Sequence, residues 1–396
     1  MLVPRQALRS IQEIASPIRV AIFGSTGSIG KSALEVIASQ RGRFEVVALV
    51  ANRSADLLHA QALQFRPRFV GLGEAEALKK FRALPSTGSQ IVGETEVHSL
   101  AALPEVDVVV AAIVGAAGLR CVETALCSGK KVALANKESL VTAGPLVTQA
   151  MQGSGAQLLP VDSEHSAIFQ ALQGAGEQEV SELTLTASGG PFWRLASSEL
   201  DQVTPAQAVK HPRWSMGAKI SVDSASMMNK ALELIEAHWL FGLKPDRIKV
   251  LLHPQSIVHS LVNFIDGSQL AQLSVPDMKG PIAFAMAYPH GRLPGVMQGL
   301  DLAKIGNLEF FELDSKRFPA VDLARQCLAV GPAASAVFNM ANEAAVGAFL
   351  AGRMKFTAIT PFVERMLSEI QFEFPASFEG LHAVLAQVTK QIESRL

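Results

Sequence analysis

The sequence is poor in cysteine, has no long apolar run and carries no surplus of charge. Its 3 cysteines (Cys121, Cys127 and Cys327) show neither metal-like spacing nor a paired pattern. That excludes a disulfide framework and suits a reducing compartment. Lys plus Arg number 35 against 36 Asp plus Glu, and the formal net charge of -1 argues against general binding to nucleic acid or a membrane surface. No uncharged apolar run reaches the roughly 20 residues that span a bilayer. The longest, Val108 to Leu119, is broken by Gly115 and Gly118 and reads as a buried strand followed by a turn. The N-terminus has Arg5 and Arg9 but no long apolar segment, so it is not a secretory signal. Residues Met1 to Pro17 read as a short extension. Glu13 and its brevity argue against a plastid transit peptide, and the expected location is cytoplasmic.

What is present is a large apolar fraction, 49%, in 396 residues. That is too long for one core and predicts two or three domains. Arg19 to Phe23 is a short apolar strand running into Gly24-Ser25-Thr26-Gly27-Ser28-Ile29-Gly30, and Lys31 to Ser39 reads as a helix. Strand, glycine turn and helix form the context of a dinucleotide site, with helix N–H groups facing a pyrophosphate. A turn serving only packing has the same pattern. The next strand, Phe44 to Val50, ends in Ala51-Asn52-Arg53-Ser54, where an NAD enzyme usually has an acid. Arg53, with polar Asn52 and Ser54, suits a 2′-phosphate and so NADP. Short strands at Arg68 to Leu72, Ile91 to Gly93, Asp107 to Ile113 and Lys131 to Ala135 continue an α/β pattern. The last delivers Asn136, Lys137 and Glu138 to the expected ligand crevice, although such a triplet is also an ordinary helix start.

The stretch Val161-Asp162-Ser163-Glu164-His165-Ser166 brings two carboxylates close together. If Asp162 ends a strand, Asp162 and Glu164 project to one side and want a cation between them. The same residues also suit a turn with Asp162 or Ser163 as helix cap. Glu182 to Ala187 alternates as a strand and breaks at Ser188-Gly189-Gly190, a candidate anion nest or a plain turn. Lys210-His211-Pro212-Arg213-Trp214-Ser215-Met216-Gly217 has no period and is rich in large side chains. It reads as a mobile lid or as a loop tucked into the core. One helix is expected from Ser221 through Ala237. Ser224, Asn229 and Lys230 near its start suit a phosphate, and Glu233 is placed to reach a metal, with Glu236 as the alternative. Ile248 to Leu252, Ser256 to Ile265 and Gln269 to Val275 read as antiparallel strands, ended by Pro276-Asp277-Met278. Arg292 to Asp314 reads as a linker, and four Ala-rich helices follow from Pro319. Asn339, Asn342 and Glu343 are expected as bundle or interface polar groups.

Taken in order, Gly-Ser-Thr-Gly-Ser-Ile-Gly, Ala-Asn-Lys-Glu-Ser, Val-Asp-Ser-Glu-His-Ser, Ala-Ser-Gly-Gly-Pro-Phe, His-Pro-x-Trp-Ser-Met-Gly and Ser-Val-Asp-Ser-Ala-Ser-Met-Met-Asn-Lys are specific. The chain resembles the 1-deoxy-D-xylulose 5-phosphate reductoisomerase family from Ile18 to the C-terminus. The resemblance implies an α/β fold: a Rossmann-like doubly wound sheet (residues 18–160), a central α+β catalytic domain (161–291) with a flap at 210–217, a linker (292–318) and a C-terminal helical bundle (319–396). It implies NADPH, Mg²⁺ or Mn²⁺ on Asp162, Glu164 and Glu233, and a homodimer. Lys137, Ser163, Glu164, Ser188, Ser224, Asn229, Lys230 and Glu233 match substrate contacts, several around the phosphate. His211, Trp214 and Met216 match the flap, and Lys137 and His211 join the metal ligands as catalytic candidates. Thr26, Gly27, Ser28, Ile29, Asn52, Arg53, Ser54, Asn136, Glu138 and Gly217 match the NADPH site. Asn-Arg-Ser stands at 52–54 where some members carry Gly-Lys-Asn, which keeps a basic residue there. The expected reaction rearranges and reduces 1-deoxy-D-xylulose 5-phosphate to 2-C-methyl-D-erythritol 4-phosphate. The alternatives are an NADP-dependent dehydrogenase of another polyol phosphate and a non-catalytic NADPH-binding regulator.

Overall fold

Seven short apolar strands form one fully parallel sheet: β1 (Ile18–Phe23), β2 (Phe44–Ala51), β3 (Phe69–Leu72), β4 (Gln90–Gly93), β5 (Val108–Ala111), β6 (Lys131–Leu134) and β7 (Gln157–Pro160). The structure is a computed structural model and describes residues 1–4, 8–10, 15–214 and 216–396. Arg5 and Glu13 of the expected extension and Ser215 of the expected lid lie outside the described residues. The central strands β1, β5 and β6 are almost wholly apolar because helices cover both faces of the sheet. The strand order is β4-β3-β2-β1-β5-β6-β7. The winding reverses between β1 and β5, and that switch point opens a crevice at the carboxyl ends. Gly24 turns the chain there at φ 87°, and a Cβ on it would lie 2.5 Å from the Ala112 carbonyl oxygen. Only glycine permits this contact between the turn and the end of β5.

The acidic pair is placed differently from the strand expectation. β7 ends at Pro160, and Asp162 is the N-cap of the helix Ser163–Ala171, its Oδ1 accepting from Ser163 N at 2.9 Å. Asp162 and Glu164 therefore converge as cap and first-turn residue of a helix, not as alternate residues of a strand. The capping reading and the acidic-site reading describe one geometry.

A second sheet follows: β8 (Val180–Ala187), β9 (Ile248–Leu252), β10 (Val258–Phe264), β11 (Gln269–Leu273) and β12 (Phe311–Glu312), ordered β11-β10-β8-β9-β12. The three strands expected to be antiparallel alternate in direction, but β9 does not pair with β10: it runs parallel to β8, which lies between them, while β10 is antiparallel to both β8 and β11. The long segment between β8 and β9 allows a crossover, and the short turn after β9 sends β10 to the far side of β8. The stretch expected as a linker contains β12, which pairs with β9 and covers its edge.

The single helix expected from Ser221 is two helices, Ala218–Ala225 and Met228–Phe241. Met227 breaks them at φ 64°. Ser224 therefore ends one helix while Asn229 and Lys230 begin the next. Beside the break Gly190 comes so close that a Cβ would lie 2.8 Å from Ala225 Cα. Helices Ala320–Val330, Pro332–Leu350, Ile359–Glu369 and Phe378–Glu393 form the C-terminal bundle. Pro332–Leu350 packs on the helix Lys137–Ser154, which in turn packs on Met228–Phe241. Among the described residues no helix is long and apolar enough to cross a membrane.

Candidate active site

Three helix starts meet where the two sheets face each other. The helix after β6 brings Lys137, the helix after β7 brings Asp162 and Glu164, and Met228–Phe241 brings Asn229, Lys230 and Glu233. One carboxylate oxygen each of Asp162, Glu164 and Glu233 lies within 4.8 Å of the others. Lys137 Nζ pairs with Asp162 Oδ2 and reaches Glu233 Oε1 and Asn229 Oδ1, each at 2.9 Å. Lys230 Nζ lies 2.7 Å from Glu164 Oε1 and also pairs with Glu233 Oε2. Ser163 Oγ donates to Glu164 Oε2 at 2.5 Å.

The alternatives left open for the third acid separate here. Glu236 is grouped instead with Asp162 and His165, its Oε2 3.4 Å from His165 Nδ1, and does not join Glu164 and Glu233. The sequence reading gave His165 no role. Its Nε2–H donates to the Glu233 carbonyl at 2.8 Å and so ties the two acid-bearing helices together.

Burial and charge compete in this cluster. Burial pushes the Asp162 carboxyl up, but Lys137 and His165 outweigh it and hold it at about 2. Burial and then Glu233 push Glu164 up to about 7, against the pull of Lys230. Burial also pulls Lys137 down, yet Asp162 and Glu233 hold its ammonium well above the usual range. Once Glu164 is ionised, the three carboxylates of the triad face two ammonium groups, a surplus of one negative charge. An all-oxygen triad with that surplus fits a hard divalent cation such as Mg²⁺ or Mn²⁺.

A raised folded pKa means that Glu164 holds a proton below pH about 7 and must release it to bind a cation. Cation affinity therefore rises with pH and levels off above that value. Titration with Mn²⁺ by electron paramagnetic resonance is expected to give binding about tenfold tighter at pH 8 than at pH 6. A pH-independent affinity contradicts Glu164 as a ligand.

The Ser188 turn and the segment expected as a lid line the same cavity as the cluster. His211 Nδ1 accepts from the backbone N–H groups of Arg213 and Trp214, at 3.2 and 2.9 Å. Burial holds this imidazole down at about 4, so it is neutral and its Nε2–H donates to Ser188 Oγ at 2.8 Å. Gly190 N also donates to Ser188 Oγ, at 3.2 Å, which directs the seryl proton to an incoming acceptor. Trp214 is half-buried over His259, with ring centroids 6.3 Å apart.

A cavity of about 550 Å³ joins these parts to the glycine turn. Gly27, Ser28, Ile29, Lys137, Glu138, Asp162, Ser163, Glu164, Ser188, His211, Trp214, Met216, Gly217, Ser224, Asn229, Lys230 and Glu233 all line it. Thr26, Asn52, Arg53, Ser54 and Asn136 do not. Asn136 is buried, caps its helix and donates to the carbonyls of Ile113 and Gly115 at 2.7 and 2.9 Å. Arg53 stands exposed at the end of β2, 3.2 Å from Glu74, in a surface pair that holds it only weakly. Sequence reasoning missed Lys219, His259 and Met278 in the lining. The break in period at Pro276-Asp277-Met278 was the one available signal for the last, whereas a lone His inside a strand gives none.

Comparisons with known proteins agree along the chain. The family model described as 1-deoxy-D-xylulose 5-phosphate reductoisomerase matches residues 20–144, and two models of reductoisomerase C-terminal domains match 158–241 and 273–391. The chain is 50% identical to the 1-deoxy-D-xylulose 5-phosphate reductoisomerase of Geotalea uraniireducens over 88% of its length and 91% of the relative's. It is 48% identical to that of Pseudomonas syringae pv. tomato over 95% of its length and 96% of the relative's. A crystal structure of DOX-P reductoisomerase in complex with NADPH, fosmidomycin and magnesium superposes with TM-score 0.90 at 40% identity, covering 95% of this chain and 98% of that one. The Zymomonas mobilis enzyme in complex with NADPH gives 0.87 at 40% identity, covering 96% and 98%. Matched from end to end in sequence and in fold, this chain belongs to the 1-deoxy-D-xylulose 5-phosphate reductoisomerase family.

Proposed function

We propose that the acidic triad, the Ser188 turn, the lid and the glycine turn form one active site that rearranges and then reduces a ketose phosphate. The chain is an NADPH-dependent oxidoreductase that converts 1-deoxy-D-xylulose 5-phosphate to 2-C-methyl-D-erythritol 4-phosphate with a divalent cation. The observation that carries the residue assignment is the convergence of three carboxylates, two lysines and the Ser188 hydroxyl in the cavity that Gly27 to Ile29 also line.

Asp162, Glu164 and Glu233 would hold Mg²⁺ or Mn²⁺, which when bound would supply Lewis acidity to adjacent substrate oxygens. Lys137, kept charged by Asp162 and Glu233, donates to the oxygen that gains negative charge. Lys230, Asn229, Ser188 and Ser224 bind the phosphate, with the Ser188 proton aimed by neutral His211. This anchor, fixed directly beside the acidic triad, orients the reacting carbons. Trp214 and Met216 in the lid exclude water during reduction. At the other end, the backbone of Thr26 to Ile29 at the start of Ser28–Ser39 receives the pyrophosphate, and Arg53 with Asn52 and Ser54 takes the 2′-phosphate. Glu138 and Gly217 border the nicotinamide side, and Asn136 acts through the two carbonyls it holds.

The division into residues 18–160, 161–291, 292–318 and 319–396 is proposed on the same footing, with β12 of the third segment joining the second sheet. A homodimer in the cytoplasm is also proposed. The resemblance supports the dimer, and the open edge of β11, with Leu270 exposed at 52%, is a face suited to a second copy. Buried free thiols at Cys121 and Cys327 suit a reducing compartment.

Product analysis by carbon-13 NMR tests the reading. The expected product carries a methyl group on a quaternary carbon. An unbranched polyol phosphate identifies a simple dehydrogenase and overturns the rearrangement.

A further inference from the structure

Lys219 lies in the opening turn of Ala218–Ala225, directly after the lid. It is nearly buried, and its Nζ reaches Glu138 Oε1 and Asp223 Oδ2, both at 2.9 Å. Burial pulls this lysine down, but Asp223 and Glu138 together hold it above its ordinary value, so it stays charged. The two acids belong to different parts of the fold. Glu138 begins the helix after β6, on the dinucleotide side. Its other oxygen accepts from Asn136 Nδ2 at 3.2 Å, the amide that also holds Ile113 and Gly115. Asp223 accepts at its second oxygen from Asn342 Nδ2 at 2.8 Å, in the bundle helix Pro332–Leu350. The neighbouring Glu343 accepts from Ala116 N at 3.3 Å, just after Gly115. A closed ring therefore runs from the loop after β5 through Asn136, Glu138, Lys219, Asp223, Asn342 and Glu343, and back to that loop.

The Glu138–Lys219 and Asp223–Asn342 contacts join residues 81 and 119 positions apart, so the ring forms only when all three parts are docked. A buried cation between two buried acids has one good arrangement, because any other leaves a charge unpaired. The lid is fastened to the same helix: Gly217 O accepts from both the N–H and the Oγ of Ser221, at 3.1 and 3.0 Å. Ser224, a proposed phosphate contact, follows Asp223 directly.

We propose that Lys219 is a positioning residue for the reaction. It sets the lid anchor and the Ser224 helix against the dinucleotide side of the crevice, so that hydride donor and sugar phosphate meet in register. The C-terminal bundle supports catalysis through Asn342, which orients Asp223. The inference rests on the site assignment proposed above.

The test compares Lys219→Met with Lys219→Arg in the full chain, well below the melting temperature of each. The readouts are NADPH affinity by fluorescence, KM and kcat for the sugar phosphate, and the rate of trypsin cleavage after Lys210 and Arg213 in the lid. Lys219→Met is expected to weaken NADPH and raise KM by about tenfold each, with faster lid cleavage, and Lys219→Arg to recover most of each loss. A folded Lys219→Met whose NADPH affinity, KM and cleavage rate stay within about twofold of the parent overturns the proposal. Should Lys219→Met fail to fold, Asn342→Ala leaves Lys219 and both of its acids in place. A several-fold rise in KM and cleavage supports the ring, and unchanged values overturn it. Failure of the site assignment shows separately, as full turnover in Glu233→Gln, which NADPH affinity and lid cleavage do not report.

Discussion

Glu233→Gln is expected to lower kcat by about a thousandfold while the NADPH dissociation constant stays unchanged. Glu233 is almost fully buried and sits between both ammonium groups of the cluster. Oε1 accepts from Lys137 and Asn229, and Oε2 from Lys230. Glutamine keeps the shape but removes one of three cation ligands. It also turns an N–H₂ toward donors that need an acceptor. The glycine turn follows β1, three strands along the same sheet from β7 and its acids, which leaves the dinucleotide unaffected. Stopped-flow turnover at increasing Mg²⁺ checks this, with EDTA-treated parent enzyme as the reference for complete cation loss. Parent-level turnover at saturating Mg²⁺ would sink the assignment of Glu233 as a ligand.

Lys230→Met is expected to lower kcat/KM by about a hundredfold, mostly through KM for the sugar phosphate. The lost ammonium is a charge-assisted donor for the proposed phosphate site. The same ammonium is now a counter-ion of Glu164 and Glu233, so its removal leaves that acid pair more dependent on the cation. Mn²⁺ binding is accordingly expected to hold or tighten while substrate binding weakens. These opposite signs distinguish the variant from one that is merely misfolded. Steady-state kinetics and Mn²⁺ titration on one preparation read both, and an unchanged KM excludes Lys230 from the phosphate site.

The readable parts of this chain were those whose physics is local. Val20 to Phe23 and Val108 to Ala111 are apolar throughout because both faces of a parallel sheet are covered, and each appears as a strand. Gly24 marks its own turn, because φ 87° against a neighbouring carbonyl leaves no room for a side chain. The misplaced elements depended on distant partners. Nothing around Met227 signals a break, and its left-handed turn follows directly on Ser224 and Ala225, where Gly190 packs closely. The place of β9 beside β8 rather than β10 follows from a crossover whose course local pattern does not encode.

The sequence by itself determined the α/β class, the crevice at the end of β1, and the acids and lysines that stand at helix starts. Backbone preference and side-chain period act over a few residues, and a sequence records them directly. Only the tertiary structure decided that Glu233 rather than Glu236 joins Asp162 and Glu164, because the choice turns on which way one buried helix faces. It likewise decided that Lys219 lies between Glu138 and Asp223. Ion pairs spanning three parts of a chain exist only after docking, when burial removes the water that would otherwise solvate each charge separately.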